Sequence, residues 1–148
     1  MAEEIRVDEV TEPFDGLVTA MGALVRQLSR SSPPPSAAEV EEIVRSPACH
    51  LLIARDGDGT IVGTLTLAVF RIPTGLRAWI EDVVVDEAAR GKGVGAALTN
   101  AAIRVANGRG ARTVDLTSRP SREAANRLYQ RLGFVARETN VYRFDPDG

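Results

Sequence analysis

Residues 83–96 read VVVDEAARGKGVGA, and this stretch decides the fold of the chain. Its three valines, Val83 to Val85, are β-branched and apolar, which predicts a strand buried on both faces. Glycines at positions 91, 93 and 95 leave backbone N–H groups uncovered and let a ligand approach the main chain closely. The helix expected to begin there adds unpaired N–H donors and the positive end of its dipole. The stretch therefore predicts a binding site for a phosphate or a pyrophosphate.

A second block follows at residues 121–134, which read SREAANRLYQRLGF. Its ending, LYQRLGF at 128–134, and the earlier RGKGVG at 90–95 are similar to the two motifs of the GNAT superfamily of N-acetyltransferases, and they occur in the same order with a strand between them. The first motif fits the Arg/Gln-x-x-Gly-x-Gly/Ala pattern by which that family binds acetyl-coenzyme A. The chain resembles the superfamily from about Trp79 to Phe134, and only weakly before that.

The resemblance implies a mixed α/β fold, the GNAT acyl-CoA N-acyltransferase fold. In it about six to seven strands form a central, mostly antiparallel sheet that is flanked by about four helices. The length of the chain, 148 residues, suits one domain, so residues 1–148 are expected to form a single domain of this kind.

The residue pattern predicts a matching order of elements: one strand, two helices, three strands, a helix, a strand, a helix and two final strands. The predicted strands cover about 5–7, 51–55, 61–72, 79–85, 113–117, 134–136 and 140–144. The predicted helices cover about 13–30, 36–44 and 94–108, and the segment between Ser121 and Gly133.

The composition excludes several classes of protein. A formal net charge of −2 argues against general nucleic-acid binding, which needs a basic face. The single Cys49 excludes an internal disulfide, and with only His50 beside it no usual zinc site can form, so no metal is expected. The longest apolar stretch, near residues 61–70, is too short to cross a bilayer, and the start of the chain is acidic. We therefore expect a cytoplasmic protein without membrane contact.

The resemblance further implies acetyl-coenzyme A (acetyl-CoA) as co-substrate. In the family the central strand binds the pantetheine arm as though it were another strand, and the glycine turn binds the pyrophosphate. Many members carry Asn seven residues before the tyrosine of the second motif, where this chain has Arg122. In this segment we therefore expect either Asn126 to contact the cofactor or Arg122 to reach one of its phosphates. The expected cofactor-binding residues are Val83, Val84, Val85, Arg90, Gly91, Lys92, Gly93, Val94, Gly95, Ala96 and Asn126.

Two catalytic residues are also implied by the resemblance. Tyr129 is the expected general acid, because a phenol with a pKa of about 10 can donate a proton to a leaving thiol with a pKa of about 8.5. Glu81 is the expected base for the substrate ammonium, with Asp82 or an ordered water as alternatives. Strand alternation predicts that Glu81 and Asp82 point to opposite faces. Family members commonly carry a bulge in this strand that separates it from its neighbour, here residues 113–117.

Two other interpretations of the glycine turn fail. Residues 91–96 fit the dinucleotide fingerprint G-x-G-x-x-G/A, but residues 86–90 separate them from the strand, and the repeating βαβ units are missing. A P-loop is excluded because no Gly-Lys-Ser/Thr occurs. A non-catalytic acyl-CoA-binding sensor or partner subunit with the same fold remains the alternative to an enzyme.

The expected reaction is acetyl transfer from acetyl-CoA to a primary amine by direct attack in a ternary complex. The sequence leaves the acceptor open: a small amine, an amino acid, an antibiotic, or a protein N-terminus or lysine. In the family the acceptor site is shaped largely by the segments that match about 25–39 and 71–78. A homodimer through the final strands is compatible with the family by analogy alone.

Overall fold

The computed structural model describes residues 4–148, which form five strands and four α-helices. The strands are β1 (Arg6–Glu9), β2 (Cys49–Arg55), β3 (Ile61–Ile72), β4 (Gly75–Val85) and β5 (Thr113–Asp115). The helices are α1 (Leu17–Leu28), α2 (Ala37–Arg45), α3 (Val94–Gly108) and α4 (Glu123–Arg131), with a 3-10 turn at Glu87–Ala89. Among these described helices, none has both the length and the apolar composition needed to cross a membrane.

The chain divides into two compact units, one ending at Thr117 and the other running from Ser118 to Gly148. The first unit contains the sheet, whose strands lie in the order β1-β2-β3-β4-β5. Neighbouring strands are antiparallel except β4 and β5, which are parallel and are joined by the crossover helix α3. The prediction of a mixed α/β fold with a mostly antiparallel sheet is therefore confirmed.

Helices α1 and α2 cover one face of the sheet. A capping box opens α2, where the Glu39 N–H donates to Ser36 Oγ at 3.1 Å and the Ser36 N–H donates to Glu39 Oε1 at 2.9 Å. Helix α1 begins later than predicted, after Gly16, whose φ of 90° places it outside the helix. Both helices pack on alternate residues of β2 in one buried cluster, formed by Val10, Leu17, Met21, Val40, Leu51 and Ile53.

Helix α3 covers the opposite face of the sheet. A Cβ atom added to Gly63 of β3 would meet the side chains of Val94 and Leu98 at the start of α3. Leu65 and Leu67 share this face of β3 with Gly63 and are fully buried. The residues between them face the α1–α2 cluster. Because β3 is covered on both faces, it is apolar along most of its length.

The second unit contains α4, which ends in a turn at Gly133 as predicted. The Phe134 N–H donates to the Tyr129 carbonyl oxygen at 2.9 Å. The rings of the same two residues meet edge to face, with their centroids 5.8 Å apart. These two contacts hold Phe134, just after α4, against Tyr129 of the helix.

The prediction of two final strands, at 134–136 and 140–144, is wrong, because no strand forms in residues 132–148. The sheet consequently has five strands in the described chain rather than six or seven. The alternation of apolar residues in this segment matches a strand, but a strand also requires a partner with which to form a hydrogen-bonded ladder. Four of its apolar side chains are 72–89% exposed, namely those of Val135, Val141, Tyr142 and Phe144.

Candidate functional site

The glycine turn lies between the 3-10 turn and α3. Gly91 and Gly93 both have a φ of 81°. Residues other than glycine rarely adopt this left-handed backbone conformation. No described heavy atom outside their immediate chain neighbours lies within 4 Å of where a Cβ atom would stand on either glycine. The turn therefore leaves open space directly against its own main chain.

The link from β4 to this turn is held by side chains. Asp86 Oδ1 accepts a hydrogen bond from the Ala88 N–H at 2.9 Å, which caps the 3-10 turn. Gln27, at the end of α1, accepts a hydrogen bond from the Glu87 N–H through its Oε1 at 3.0 Å. Helix α1 and the end of β4 thus fix the position from which the glycine turn begins.

The start of α3 presents backbone donors to the turn. Gly93 is the N-cap, and the Ala97 N–H makes the first bond of the helix, to the Gly93 carbonyl oxygen at 3.0 Å. The N–H groups of Val94, Gly95 and Ala96 come before that bond and therefore lack a partner within the helix. Together with the helix dipole they favour an anion at this position.

The side chains of the turn divide into two kinds. Arg90 and Lys92 are exposed and place positive charge next to the backbone donors. Val94 is 2% exposed, because its side chain packs against Gly63 on the sheet. Val94 can therefore contribute to a ligand site through its main chain alone.

Strand β4 carries one extra residue relative to β3. Thr64 pairs with Val84 and Thr66 pairs with Glu81, so one residue of β3 lies opposite two residues of β4. Asp82, within this bulge, has a φ of 50°. Asp is among the few residues apart from glycine that tolerate this conformation.

The bulge changes which side chains share a face. Ile80 pairs with Leu67 on the α3 face, whereas Val84 pairs with Thr64 on the α1–α2 face. The two are four positions apart along the strand, a spacing that would put them on one face if alternation were regular. Simple alternation therefore breaks between Glu81 and Val84, and the prediction that Glu81 and Asp82 point to opposite faces stays a prediction. Glu81 lies on the α1–α2 face by its pairing, and both carboxylates are exposed.

Strand β5 is short and pairs only with the first part of β4. The parallel ladder joins Arg77–Trp79 to Thr113–Asp115 and then stops. From Ile80 to Val85, the edge of β4 that faces β5 consequently has no strand partner in the described chain. This unpaired edge contains the three predicted valines, of which Val84 is buried and Val83 and Val85 are half-buried.

Glu81 stands where the two strands part, and it is not isolated. Its Oε1 accepts a hydrogen bond from the Trp79 indole N–H at 2.7 Å. Arg77 lies over the Trp79 ring, with Cζ 5.9 Å from a ring centroid, and pairs with Asp115 of β5 at 2.6 Å. Sequence reasoning missed this group, although alternation along β4 places residues 77, 79 and 81 on one face.

Tyr129 lies in the second unit on the buried face of α4 and is 8% exposed. Burial raises the pKa of its hydroxyl above the ordinary value of 10.0, and the positive charge of Arg122 opposes this by a smaller amount. The phenol therefore stays protonated at neutral pH. Asn126, on the same helix, donates from Nδ2 to the Arg119 carbonyl oxygen at 3.0 Å, which leaves Oδ1 as its acceptor for a ligand.

A profile of the acetyltransferase (GNAT) family matches residues 18–134. N-alpha-acetyltransferase 30 of Schizosaccharomyces pombe is 32% identical over 96 residues, which make up 65% of this chain and 63% of that relative. The chain thus spans less than two thirds of that relative's length.

Two of the solved structures that are similar to the chain illustrate the shared fold. A transcriptional regulator from Bacillus halodurans is 28% identical with a TM-score of 0.78, over 96% of this chain and 100% of that one. An aminoglycoside N-acetyltransferase solved in complex with CoA is 19% identical with a TM-score of 0.81, over 99% of this chain and 97% of that one. At 19% identity the second likeness shows the fold alone.

Proposed function

Because this chain belongs to the acetyltransferase (GNAT) family, we propose that it transfers an acetyl group from acetyl-CoA to a primary amine, which attacks in a ternary complex. One observation carries the proposal. The unpaired edge of β4 leads into a glycine turn and then into a helix start whose first amides lack a helical partner. A carrier with an extended amide-containing arm and a pyrophosphate needs these groups in this succession.

The glycine turn fits the pyrophosphate. The open space at Gly91 and Gly93 lets phosphate oxygens reach the main chain. The N–H groups of residues 91–96 would hold those oxygens, and the exposed side chains of Arg90 and Lys92 would add charge-assisted hydrogen bonds. Because these donors belong mainly to the backbone, the turn depends on small residues more than on any one side chain.

The unpaired edge of β4 fits the pantetheine arm. The arm's amides would bond to the backbone of Val83, Val84 and Val85, as a further strand would. When bound, acetyl-CoA supplies an acetyl group activated as a thioester. A strand N–H of this edge would also stabilise the negative charge that develops on the acetyl oxygen during attack.

Glu81 would accept the proton that the substrate ammonium must lose. An ammonium with a pKa of about 10 is mostly charged at neutral pH and cannot attack until it is deprotonated. The Glu81 carboxylate is exposed, two residues beyond the last pair of the β4–β5 ladder. Asp82 is the neighbouring alternative, held in the bulge with a φ of 50°.

Tyr129 would donate a proton to the coenzyme A sulfur as the acetyl group leaves. The family resemblance of the LYxxLGF motif supports this role, and the raised pKa of the hydroxyl keeps it in the protonated form between turnovers. A phenol that remains protonated at neutral pH is available as a donor in every turnover. Asn126 would bind an arm amide through the carbonyl oxygen of its side chain.

The substitution Tyr129→Phe tests the enzyme against the non-catalytic sensor. It keeps the ring that packs on Phe134 and removes only the hydroxyl. We expect kcat to fall by about 100-fold or more, while the Kd for acetyl-CoA in calorimetry changes by less than about twofold. Tyr142→Phe, which removes the hydroxyl of an exposed tyrosine in the same unit, is the matched control and should retain the wild-type kcat.

The acceptor panel for this experiment follows the activities that similar proteins' names record. Peptides with a free N-terminus and aminoglycosides follow those names. Amino acids and simple amines are added as general primary amines. Release of free coenzyme A is the signal. If the wild-type chain binds acetyl-CoA but acetylates none of these amines, the sensor interpretation gains support. If it does not bind acetyl-CoA, both interpretations fail.

A further inference from the structure

The indole of Trp79 makes a short hydrogen bond with the proposed base. Trp79 and Glu81 are two residues apart on β4 and pair with Ala68 and Thr66 of β3, which places them on one face of the sheet. The Trp79 Nε1–H donates to Glu81 Oε1 at 2.7 Å. One carboxylate oxygen is thereby occupied, and Oε2 remains to accept a proton from an incoming amine.

The Trp79 ring also contacts Arg77, which is paired with Asp115. Arg77 stacks over the ring and bonds to one oxygen of Asp115 through both Nη2, at 2.6 Å, and Nε, at 3.1 Å. Trp79 and Asp115 are the last pair of the β4–β5 ladder. The contacts from Asp115 through Arg77 and Trp79 to Glu81 therefore cross from β5 to β4 at the point where the strands part.

This arrangement restricts a side chain that would otherwise be mobile. Glu81 is exposed, and an exposed glutamate samples many rotamers. A base is effective only when its oxygen is held within hydrogen-bond reach of the proton that it accepts. The indole N–H supplies that restraint, since it is a donor without acceptor ability on a planar ring of limited freedom.

We propose that Trp79 is a positioning residue for acetyl transfer: its indole N–H orients the Glu81 carboxylate, and the Arg77–Asp115 pair holds the indole. The proposal rests on the assignment of Glu81 as the base in the proposed function. It adds that the orientation of the base is coupled to the junction of β4 and β5, where the ladder between the two strands ends.

The contact is measured first, without turnover. Trp79 is the single tryptophan of the chain, so intrinsic fluorescence reports its surroundings alone. Glu81→Ala should shift the emission maximum and alter the lifetime, because it removes the carboxylate bonded to the indole. Asp82→Asn removes the adjacent negative charge but keeps the Glu81 carboxylate on the indole, so it should leave both quantities as in the wild type. Equal spectra for wild type and Glu81→Ala would overturn the contact.

A double-mutant cycle then measures whether Trp79 acts through Glu81. Trp79→Phe keeps an aromatic ring beneath Arg77 and removes the N–H donor. In the wild-type background it should lower kcat by about 10-fold with little change in the KM for acetyl-CoA, and in the Glu81→Ala background it should lower kcat no further. An equal loss in both backgrounds would show a structural role for the ring and would refute the positioning role.

The two failures are distinguishable. A wild-type protein that acetylates amines but shows equal losses in both backgrounds defeats the positioning proposal and leaves the proposed function intact. A wild-type protein that binds acetyl-CoA and releases no coenzyme A with any acceptor defeats the proposed function and, with it, the positioning role, even if the fluorescence contact is present.

Discussion

Gly63 and Val94 touch at a point where no side chain could be added: a Cβ atom on Gly63 would stand 2.8 Å from Val94 Cγ1. Gly63 lies on β3 opposite Val85, and Val94 is the first residue of α3. The absence of a side chain on β3 therefore lets the start of the helix approach the sheet beside the end of β4. The proposed pyrophosphate site depends on a residue about 30 positions away from it in the sequence.

Gly63→Ala should consequently weaken both the fold and the cofactor site. The added methyl group also meets Leu98 and the Val84 carbonyl oxygen, each at 3.1 Å, so α3 must shift. We expect a loss of about 1–2 kcal/mol in unfolding free energy and a weaker Kd for acetyl-CoA, measured by denaturation and calorimetry. Gly108→Ala, at the other end of α3 where a Cβ meets nothing, should keep the Kd and should not lower the unfolding free energy, because alanine favours a helix more than glycine does. An unchanged Kd for acetyl-CoA in Gly63→Ala would mean that the contact between Gly63 and Val94 does not position the start of α3 for cofactor binding.

Gly93→Glu should abolish the rise in Tm that acetyl-CoA produces. It places bulk and negative charge where the phosphates are expected, and a loss of about 1.4 kcal/mol already reduces affinity tenfold. Gly110→Glu is the matched control, because Gly110 has a φ of 82° against 81° for Gly93, with equally open surroundings, just beyond the opposite end of α3. Both variants should lose similar intrinsic stability, about 1–2 kcal/mol from the left-handed backbone. If acetyl-CoA raises the Tm of both equally, the glycine turn is not the pyrophosphate site.

The elements of the first unit could be predicted from the sequence because clear signals lie at their ends. Strand β3 has the predicted bounds, Ile61–Ile72, since a hairpin turn precedes it and Pro73 follows it. Helix α3 has its predicted start because Gly93 can adopt the left-handed N-cap conformation. In both cases the deciding information is local.

Other features depend on partners that the sequence pattern does not contain. The segment 134–144 alternates as a strand would, yet pairing depends on a ladder partner rather than on alternation. The bulge at Asp82 depends on the register between β3 and β4, and Asp is too common in turns and strand ends for its presence to reveal a bulge. The Trp79–Glu81 contact was missed for a related reason, because spacing alone does not show which pair of alternate residues makes a hydrogen bond.

Glu81→Gln should lower the rate of acetylation most at neutral pH. At that pH the acceptor amine is mostly protonated and needs a base, whereas near pH 10 about half of an ordinary amine is already neutral. The ratio of wild-type to variant kcat/KM should therefore decrease as the pH rises toward about 10, in stopped or continuous assays of coenzyme A release. Asp82→Asn is the control, since Asn also tolerates the left-handed φ of 50°. If Asp82→Asn shows this pH dependence and Glu81→Gln does not, Asp82 is the base.

Tyr129 should make the folded chain less stable in strong alkali. Burial raises the pKa of its hydroxyl above 10.0 in the folded state, with Arg122 opposing by less. Below pH 10 both the folded and the unfolded chain hold the proton, so the group adds no pH dependence. Above pH 10 the unfolded chain releases it first, and stability falls as the pH rises through the folded-state pKa. Tyr129→Phe removes this group, so its unfolding free energy should decrease less between about pH 9 and about pH 11 than that of the wild type.

Urea denaturation across this pH range measures the difference, with Tyr142→Phe as the control. Tyr142 is 87% exposed, so its removal should leave the wild-type slope. Equal slopes for Tyr129→Phe and wild type would mean that the Tyr129 hydroxyl ionises as readily in the folded chain as in the unfolded chain. The packing of α4 would then have no effect on the ionisation of the hydroxyl. A smaller slope for Tyr129→Phe would instead show that burial raises the pH at which the folded chain loses this proton, so that the hydroxyl regains a proton readily after each donation at neutral pH.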